Sequence, residues 1–162
     1  MTSPQIPNLV SDVQALLDQF SIDDDRIAVG TDVVAVSEFA RLITTSSGGA
    51  FVASRFTDEE RTYCEGHPER LAARWAAKEA VSKAIGSGFR GLRPIQIEVV
   101  HGQFGQPGIR QGTEDPWPDD AHLWRWSLTM SHEGDAALAI ALAVPRTPGQ
   151  SPPERDTRKE SP

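Results

Sequence analysis

The segment from Arg74 to Gly88, RWAAKEAVSKAIGSG, constrains the fold of this chain more than any other stretch. Alanine, lysine, glutamate and arginine favour a helix, and Pro68 suits its first turn. Gly86 or Gly88 can adopt the left-handed conformation that ends a helix. On a helical wheel one face consists almost entirely of methyl groups, from Ala76, Ala77, Ala80, Val81 and Ala84. This face predicts a helix that packs closely against a sheet or another helix.

The other face of the predicted helix is polar. It contains Arg74, Lys78, Glu79, Ser82 and Lys83. One interpretation is a solvated surface, on which Glu79 and Lys83 form an i,i+4 pair. The alternative is a binding site, with Glu79 on a divalent cation and the three basic side chains on phosphates. Trp75 in the same arc favours a face that is partly covered.

Charge is distributed unevenly along the chain, whose 162 residues suffice for one domain of ordinary size. The formal net charge is −7, and residues 1–25 supply five aspartates without a single lysine or arginine. Residues 55–93 contain eight basic and six acidic side chains, which gives them +2. A nearly neutral body with a mildly basic middle argues against a nucleic-acid partner but allows a local phosphate site.

Cysteine content and hydropathy limit the class of protein further. Cys64 is the only cysteine, so an intramolecular disulfide and a thiolate metal site are excluded. No apolar run is long enough to span a bilayer, and Met1 is not followed by a basic and then apolar signal pattern. We therefore expect a cytoplasmic protein with no membrane partner.

Composition divides the chain into three parts. Residues 1–25 are an extension in which apolar side chains recur at helical spacing from Leu9 to Phe20, which predicts an amphipathic helix. This helix is interpreted as docking on its own domain, with a partner-binding helix as the alternative. Residues 26–145 form the main domain, and the proline-rich, mixed-charge residues 146–162 are predicted to be disordered.

The main domain reads as an α+β fold, an antiparallel sheet with helices packed on one face. A strand is predicted over Ile27–Asp32, a helix over 38–45 and a loop over Thr44–Ala50. Thr57 and Glu60 form a capping box for a helix that ends at Tyr63 and Cys64. A strand over 95–100, a loop over 102–121 with room for a short strand, and a hairpin from 122 follow. One face of the last strand is all alanine, and we expect the alanine face of the main helix to pack against it.

Three separated pieces of the chain carry the candidate chemistry. They are Gly30-Thr31-Asp32, the polar face of the main helix with its Gly86-Ser87-Gly88 end, and Ser131-His132 in the hairpin. Asp32 could simply cap the next turn, or it could bind a metal at the strand edge. Two carboxylates, several cations and a glycine-rich turn together suit a magnesium–pyrophosphate site, because Mg²⁺ takes few carboxylates and completes its shell with phosphate and water.

The chain resembles the holo-acyl-carrier-protein synthases, the small 4′-phosphopantetheinyl transferases, over roughly residues 27–145. The matching pieces, in family order, are Gly30-Thr31-Asp32, Phe56-Thr57-x-x-Glu60-x-x-Tyr63-Cys64, Ala73-Arg74-Trp75-Ala76-Ala77-Lys78-Glu79-Ala80-x-x-Lys83-Ala84-x-Gly86-x-Gly88, and Leu128-Thr129-Met130-Ser131-His132-Glu133-Gly134-Asp135. The resemblance implies a trimer with sites between subunits. It also implies that a carrier-protein serine attacks the β-phosphate of coenzyme A, takes up phosphopantetheine and releases adenosine 3′,5′-bisphosphate.

The same resemblance implies a role for each matching side chain. Asp32 and Glu79 would hold Mg²⁺, with Glu79 or a metal-bound water taking the serine proton and Lys83 neutralising charge on the phosphates. Arg74 and His132 would meet the 3′-phosphate. Ser82, Gly86, Ser87 and Gly88 would line the nucleotide end, and Ser131 and His132 are expected to serve a site in a neighbouring subunit. Lys78 is predicted from the helix face to bind phosphate.

Departures from the family pattern concern the carrier protein. Glu38 stands where many relatives have an arginine that grips the carrier, and Arg41 follows about one turn later. The Gly105-x-Pro107 region precedes an unusual acidic loop with a tryptophan, Asp115–Asp120. We hypothesise that the carrier protein belongs to fatty-acid or secondary-metabolite synthesis and has a less acidic recognition face. The alternatives to the transferase are a non-catalytic module that binds coenzyme A or a carrier, and a structural α+β domain.

Overall fold

The computed structural model describes residues 27–144, so the predicted N-terminal helix and C-terminal tail lie outside the described residues. The helices are α1 (Val36–Ile43), α2 (Gly48–Arg55), α3 (Asp58–Cys64) and α4 (Pro68–Ile85). The strands are β1 (Ala28–Ala35), β2 (Ile97–His101), β3 (Pro107–Gln111), β4 (Arg125–Glu133) and β5 (Ala136–Val144). Short 3-10 segments cover Pro94–Gln96 and Pro118–Leu123.

Helix α4 packs across an antiparallel sheet with the strand order β1-β5-β4, while β2 and β3 form a separate antiparallel pair. The contact between α4 and β5 is built from small side chains, all of them fully buried: Ala76, Ala77 and Ala80 from the helix, and Ala137, Ala139, Ala141 and Ala143 from the strand. The predicted α+β architecture is confirmed, and so is the predicted packing of the alanine face of the helix against the alanine face of the last strand.

Gly30 allows the backbone of β1 to lie in direct contact with the backbone of α4. A β-carbon added there would lie 2.0 Å from the carbonyl oxygen of Ala80 and 2.6 Å from the backbone nitrogen of Ala84. Only a residue without a side chain fits this approach. The helix backbone therefore sets the distance between β1 and α4 directly.

Both ends of the two central helices follow the predicted sequence signals. Pro68 occupies the first turn of α4, and Gly86 ends the helix with a left-handed φ of 83°. At the start of α3 the Glu60 amide donates to the Thr57 hydroxyl at 3.3 Å, and the Thr57 amide donates to the Glu60 carboxylate at 3.0 Å. The capping box is thus confirmed.

The first helix begins earlier than predicted because its cap comes from elsewhere in the chain. Strand β1 continues to Ala35 and runs directly into α1, and Ala35 offers no side-chain cap. Asp135, in the β4–β5 turn, accepts hydrogen bonds from the Ser37 amide at 2.7 Å and the Ser37 hydroxyl at 2.8 Å. A local sequence pattern cannot reveal a cap that lies 98 residues away.

The loop predicted over Thr44–Ala50 is wrong in its second half, where α2 begins at Gly48. The first two residues of α2, Gly48 and Gly49, disfavour a helix by propensity alone. Tertiary contacts override that preference, since the Phe51 ring packs against Trp75 with 5.4 Å between ring centroids and against Phe39 at 6.0 Å.

The face of the β1-β5-β4 sheet that points away from α4 is apolar and exposed. Its large side chains are Val29, Val33, Leu138, Ile140 and Leu142, and Val33 is 62% exposed. We call this surface the outer sheet face. Apolar patches of this kind on a folded domain mark interaction surfaces more often than isolated apolar residues do. Within residues 27–144 there is no helix with the length and hydropathy needed to cross a membrane.

Candidate functional site

Asp32 and Glu79 line the same hollow, although 47 residues separate them in sequence. Asp32 lies two residues after Gly30 and on the same side of β1, while Glu79 lies beside Ala80 on α4. The close approach of strand and helix at Gly30 therefore brings both carboxylates to one place. The hollow has a volume of about 470 Å³ and is also lined by Glu38, Phe39 and Trp75. We call it the carboxylate hollow.

Charge at the carboxylate hollow is balanced by Lys83. Its ammonium group lies 2.7 Å from a carboxylate oxygen of Asp32 and 3.2 Å from the carbonyl oxygen of Thr31. Asp32 therefore does not cap the following helix, which was the simpler interpretation. Burial raises the pKa of Glu79, the neighbouring charge of Asp32 raises it further, and Lys83 partly opposes both effects. A cation shared with Asp32 would favour the ionised form of Glu79.

The ligands available at this hollow suit a hard cation with an incomplete protein shell. In the described residues no three histidine, cysteine, aspartate or glutamate side chains come together as a metal cluster. Zinc sites ordinarily use three or four such ligands, whereas Mg²⁺ binds through one or two carboxylates and takes its other ligands from water and phosphate. Asp32 and Glu79 therefore fit magnesium with a phosphate-bearing substrate.

A second hollow, of about 230 Å³, lies between α3, α4, β2 and β4. Its wall includes Arg74, Ser131 and His132 together with Tyr63, Arg70 and His101. We call it the arginine hollow. The family resemblance predicted that Arg74 and His132 meet the 3′-phosphate of coenzyme A and that Ser131 and His132 serve a neighbouring subunit's site. The structure brings these three residues together within a single chain.

Arg74 is buried in the wall of this hollow, with only 2% of its surface exposed. One Nη atom donates to the Arg70 carbonyl oxygen at 3.2 Å, the other contacts Nε2 of His101, and Cζ lies 4.3 Å from the centre of the Tyr63 ring. Its Nε has no hydrogen-bond partner in the described structure. A buried, unsatisfied guanidinium donor is costly, and an anionic ligand would remove that cost.

Two residues of the arginine hollow were given no role from the sequence. Tyr63 belongs to a matching motif, yet nothing in that motif indicated that its ring stacks on His101 at a centroid distance of 4.4 Å. His101 ends a strand beside a glycine-rich turn, a position without any catalytic pattern. Both lie next to Arg74 only because of how the β2–β3 hairpin packs on α3 and α4.

Lys78 does not reach either hollow, and the structure corrects its predicted role as a phosphate ligand. Its side chain is 0% exposed, and its ammonium group donates to the Glu60 carboxylate at 2.8 Å and to the Pro94 carbonyl oxygen at 3.0 Å. Burial lowers the pKa of Lys78, whereas the Glu60 carboxylate raises it. The polar face of α4 is in fact two stripes, and the one through Lys78 is covered by β2 and the segment before it.

The remaining predicted nucleotide contacts lie at the C-terminal end of α4 and line neither of the two hollows. Ser82 is buried, and its hydroxyl donates to the Glu79 carbonyl oxygen at 2.8 Å. Ser87 donates to the Gly88 carbonyl oxygen at 2.9 Å, and Gly86 and Gly88 both have positive φ. These four residues shape the turn that ends the helix.

Comparison with known families gives one match that covers most of the described domain. The model of the 4′-phosphopantetheinyl transferase superfamily matches residues 28–142. This range includes every residue that lines the carboxylate hollow and the arginine hollow.

Individual relatives agree with the family match. The chain is 40% identical over 119 residues to a holo-[acyl-carrier-protein] synthase of Frankia alni, an alignment that covers 72% of this chain and 96% of the relative. The crystal structure of the holo-[acyl-carrier-protein] synthase of Neisseria meningitidis is 35% identical, with a TM-score of 0.62, and covers 72% of this chain and 97% of its own. The ACPS–CoA complex of Chronobacterium ammoniagenes is 27% identical, with a TM-score of 0.63, and covers 76% and 100%.

Proposed function

This chain belongs to the 4′-phosphopantetheinyl transferase superfamily, and from that membership we propose that it is a holo-acyl-carrier-protein synthase. It transfers 4′-phosphopantetheine from coenzyme A to a serine of an apo acyl or peptidyl carrier protein. The observation that supports this activity most directly is that Asp32 and Glu79 line one hollow while the Lys83 ammonium group binds Asp32. A cytoplasmic location stays a prediction.

The reaction replaces a phosphoanhydride bond of coenzyme A with a phosphate ester bond to serine. The serine oxygen of the carrier forms a bond to the β-phosphorus of coenzyme A, and the bond from that phosphorus to the bridging pyrophosphate oxygen breaks. Adenosine 3′,5′-bisphosphate leaves with the bridging oxygen, and the serine proton passes to Glu79 or to a water beside it. Such phosphoryl transfers depend on positioning and charge balance more than on covalent participation of the protein.

Each side chain at the carboxylate hollow has a part that its geometry supports. Asp32 and Glu79 would hold Mg²⁺, which supplies charge neutralisation across the pyrophosphate when bound. Glu79, or a water beside it, would take the serine proton as a general base. Lys83, held 2.7 Å from Asp32, places a positive charge at the point where phosphate charge develops.

The arginine hollow is proposed to take the 3′-phosphate of coenzyme A. Arg74, with His132 and Ser131 in the same wall, brings positive charge and hydrogen-bond donors to the hollow for an anion. Lys78 acts from the interior, where its pairing with Glu60 holds α3 against α4. Ser82, Gly86, Ser87 and Gly88 support the nucleotide end through the shape of the helix terminus.

A homotrimer is proposed as the active assembly, with sites between subunits. The outer sheet face offers an apolar surface for the contact between copies. Glu79 and Arg74 are five residues apart on α4 and line different hollows. One chain would therefore present its metal-binding residues and its 3′-phosphate-binding residues on different sides of the helix. Ser131 and His132 would then serve a site whose Asp32 and Glu79 come from the neighbouring copy.

The carrier protein is proposed to have a less acidic recognition surface than the usual one. Glu38 lies on the rim of the carboxylate hollow and is exposed, with Arg41 4.0 Å away across one turn of α1. An exposed carboxylate there would repel an acidic helix of a carrier. Comparing initial rates on several apo carriers tests this proposal, and a preference for strongly acidic carriers would contradict it.

Intact-mass spectrometry of an apo carrier incubated with coenzyme A and Mg²⁺ tests the activity itself. The carrier should gain the mass of one phosphopantetheine group. Asp32→Ala and Glu79→Ala should each abolish the gain, while Glu59→Ala, which removes an exposed carboxylate on α3, should not. Binding of coenzyme A without any mass gain would instead favour the alternative, a non-catalytic module for coenzyme A or a carrier.

A further inference from the structure

His101 is the last residue of β2 and lies in the wall of the arginine hollow. Each of its ring nitrogens contacts a protein group. Nδ1 lies 3.2 Å from the carbonyl oxygen of Gly105, and Nε2 contacts an Nη atom of Arg74. The ring also stacks on Tyr63 at an interplanar angle of 14°. The proposed reaction assigns no task to this histidine.

The two contacts define the protonation state of the imidazole. A carbonyl oxygen can only accept, so Nδ1 must carry the hydrogen and donate it to Gly105. A guanidinium group can only donate, so Nε2 must present its lone pair to Arg74. Both contacts form at once only in the neutral ring with hydrogen on Nδ1. Protonation of Nε2 would direct a second N–H at the guanidinium and place two cations side by side.

The titratable and charged groups near this contact are Arg70 and Arg74 from α4, Tyr63 and Cys64 from α3, and His132 from β4. The Glu60 carboxylate on α3 also acts on the Cys64 thiol, but its oxygens accept from Lys78 and from the amides of Thr57 and Val99. Burial raises the pKa of Cys64 to about 11, so that its thiol remains neutral. The acceptors of the Arg74 head group are the Arg70 carbonyl oxygen and the His101 lone pair.

We propose that His101 is a positioning residue that holds the Arg74 guanidinium in place for the phosphate at the nucleotide end of coenzyme A. The identity of the phosphate ligand rests on the proposed function, whereas the contact between the two side chains does not. His101 fixes one Nη atom of Arg74, which limits the orientations that the guanidinium can take in the wall of the hollow.

This arrangement makes phosphate recognition depend on a residue that does not touch the substrate. Without the acceptor on His101, discrimination between coenzyme A and its 3′-dephospho form should decline. His101→Gln offers an amide oxygen as the acceptor, and His101→Ala removes the acceptor altogether.

Nitrogen-detected NMR of the full-length protein without ligand tests the contact itself. His101 should show a neutral ring with hydrogen on Nδ1 at about pH 8, in contrast to exposed His132 on the same rim, which serves as an internal reference. A His101 ring with hydrogen on Nε2, or one that exchanges freely between the two forms, would overturn the proposal. This measurement decides the contact whether or not coenzyme A binds.

Calorimetric titration with coenzyme A and with 3′-dephospho-coenzyme A tests the consequence. At about pH 8, His101→Ala should reduce the preference for coenzyme A about tenfold, as expected for a lost hydrogen bond to a charged group, while His101→Gln should retain it. An unchanged preference in His101→Ala overturns the proposal, whereas wild-type protein that binds neither compound contradicts the proposed function.

Discussion

Lys78 and Lys83 lie five residues apart on α4, and their ammonium groups have opposite environments. Lys78 is sealed among Glu60 and two backbone carbonyl oxygens. Lys83 is 51% exposed and reaches Asp32 at the edge of the carboxylate hollow. Loss of its partner destabilises a buried charge far more than a surface charge. Replacing Lys78 should therefore have a different effect from replacing Lys83.

Lys78→Met should mainly reduce stability, because it leaves the Glu60 carboxylate buried without its cation. We expect a loss of about 3–5 kcal/mol in the free energy of unfolding. Lys83→Met should change this free energy by only about 0–1 kcal/mol but should abolish most transfer activity. Urea denaturation at a fixed protein concentration, with the carrier assay in parallel, measures both. Equal stability of the two variants would contradict the buried role of Lys78.

Glu79 has a raised pKa partly because of the negative charge on Asp32. Asp32→Asn removes that charge and releases Lys83, and both changes favour the ionised form of Glu79. We therefore expect its pKa to fall toward the ordinary glutamate range. Carbon-13 NMR titration of the side-chain carboxyls, without added metal, measures the shift. A pKa that stays the same or rises in this variant would show that the two carboxylates do not interact.

At the scale of elements, the β4–β5 turn determines where α1 begins. Asp135 supplies the acceptors that the first residues of α1 lack in their own sequence. Hydrogen bonds from the Ser37 side chain and backbone lower the pKa of Asp135. Because α1 carries Glu38 and Phe39 to the carboxylate hollow, a substitution in this turn should also alter the geometry of that hollow.

Asp135→Ala should lower the melting temperature at neutral pH because α1 loses its N-terminal cap. The folded-state pKa of Asp135 lies below its unfolded value, so its contribution is present above the unfolded pKa and is lost as the pH falls through the folded pKa. The difference from wild type should accordingly shrink in strong acid. Thermal denaturation across pH measures it, and a gap that is constant with pH would argue against the cap.

Gly30→Ala should affect folding and activity together. Its methyl group would meet the Ala80 carbonyl oxygen at 2.0 Å, and overpacking of a rigid contact typically costs about 1–3 kcal/mol. The shift would also separate Asp32 from Glu79. Gly49→Ala, in a helix and with no atom within 4 Å of the added carbon, is the matched control and should be neutral or stabilising. Full activity in Gly30→Ala would contradict the direct contact of β1 and α4.

At the scale of the whole molecule, we expect the outer sheet face to form the contact between copies in the proposed trimer. Ile140→Asp places a charge in the middle of this face, where the proposed trimer would bury it, so sedimentation should show dissociation together with loss of transfer. Leu123→Asp changes a similarly exposed apolar residue, at 42%, outside the sheet and should leave the assembly intact. A monomeric Ile140→Asp protein with full activity would refute sites shared between subunits.

Sequence could predict the parts of this molecule that local rules control. The capping box at Thr57, the glycine stop at Gly86 and the alanine faces all follow from nearest neighbours along a helix or strand. It could not predict α2, whose helix forms because Phe51 finds an aromatic cluster. The cap from Asp135 was missed for the same reason, since it depends on a distant turn.

In the candidate site, too, the sequence predicts the local arrangement of residues but not the contacts that depend on tertiary packing. A helical wheel correctly puts Glu79 and Lys83 one turn apart, but it cannot show that the 3-10 segment and β2 cover Lys78. Likewise, Arg74 and His101 are 27 residues apart, and their contact depends on how the β2–β3 hairpin docks. Periodicity identifies which residues share a stripe, and tertiary packing determines which stripe meets solvent.

The alanine seam between α4 and β5 also bears on how this enzyme could be altered. Methyl groups are already the smallest side chains that can fill the gap, so enlarging any of them would push helix from strand. A saturation-mutagenesis screen for transfer should therefore reveal an intolerant strip that contains no reactive group. Engineers seeking greater heat resistance would do better to leave that strip untouched and to search the solvent-facing helices instead.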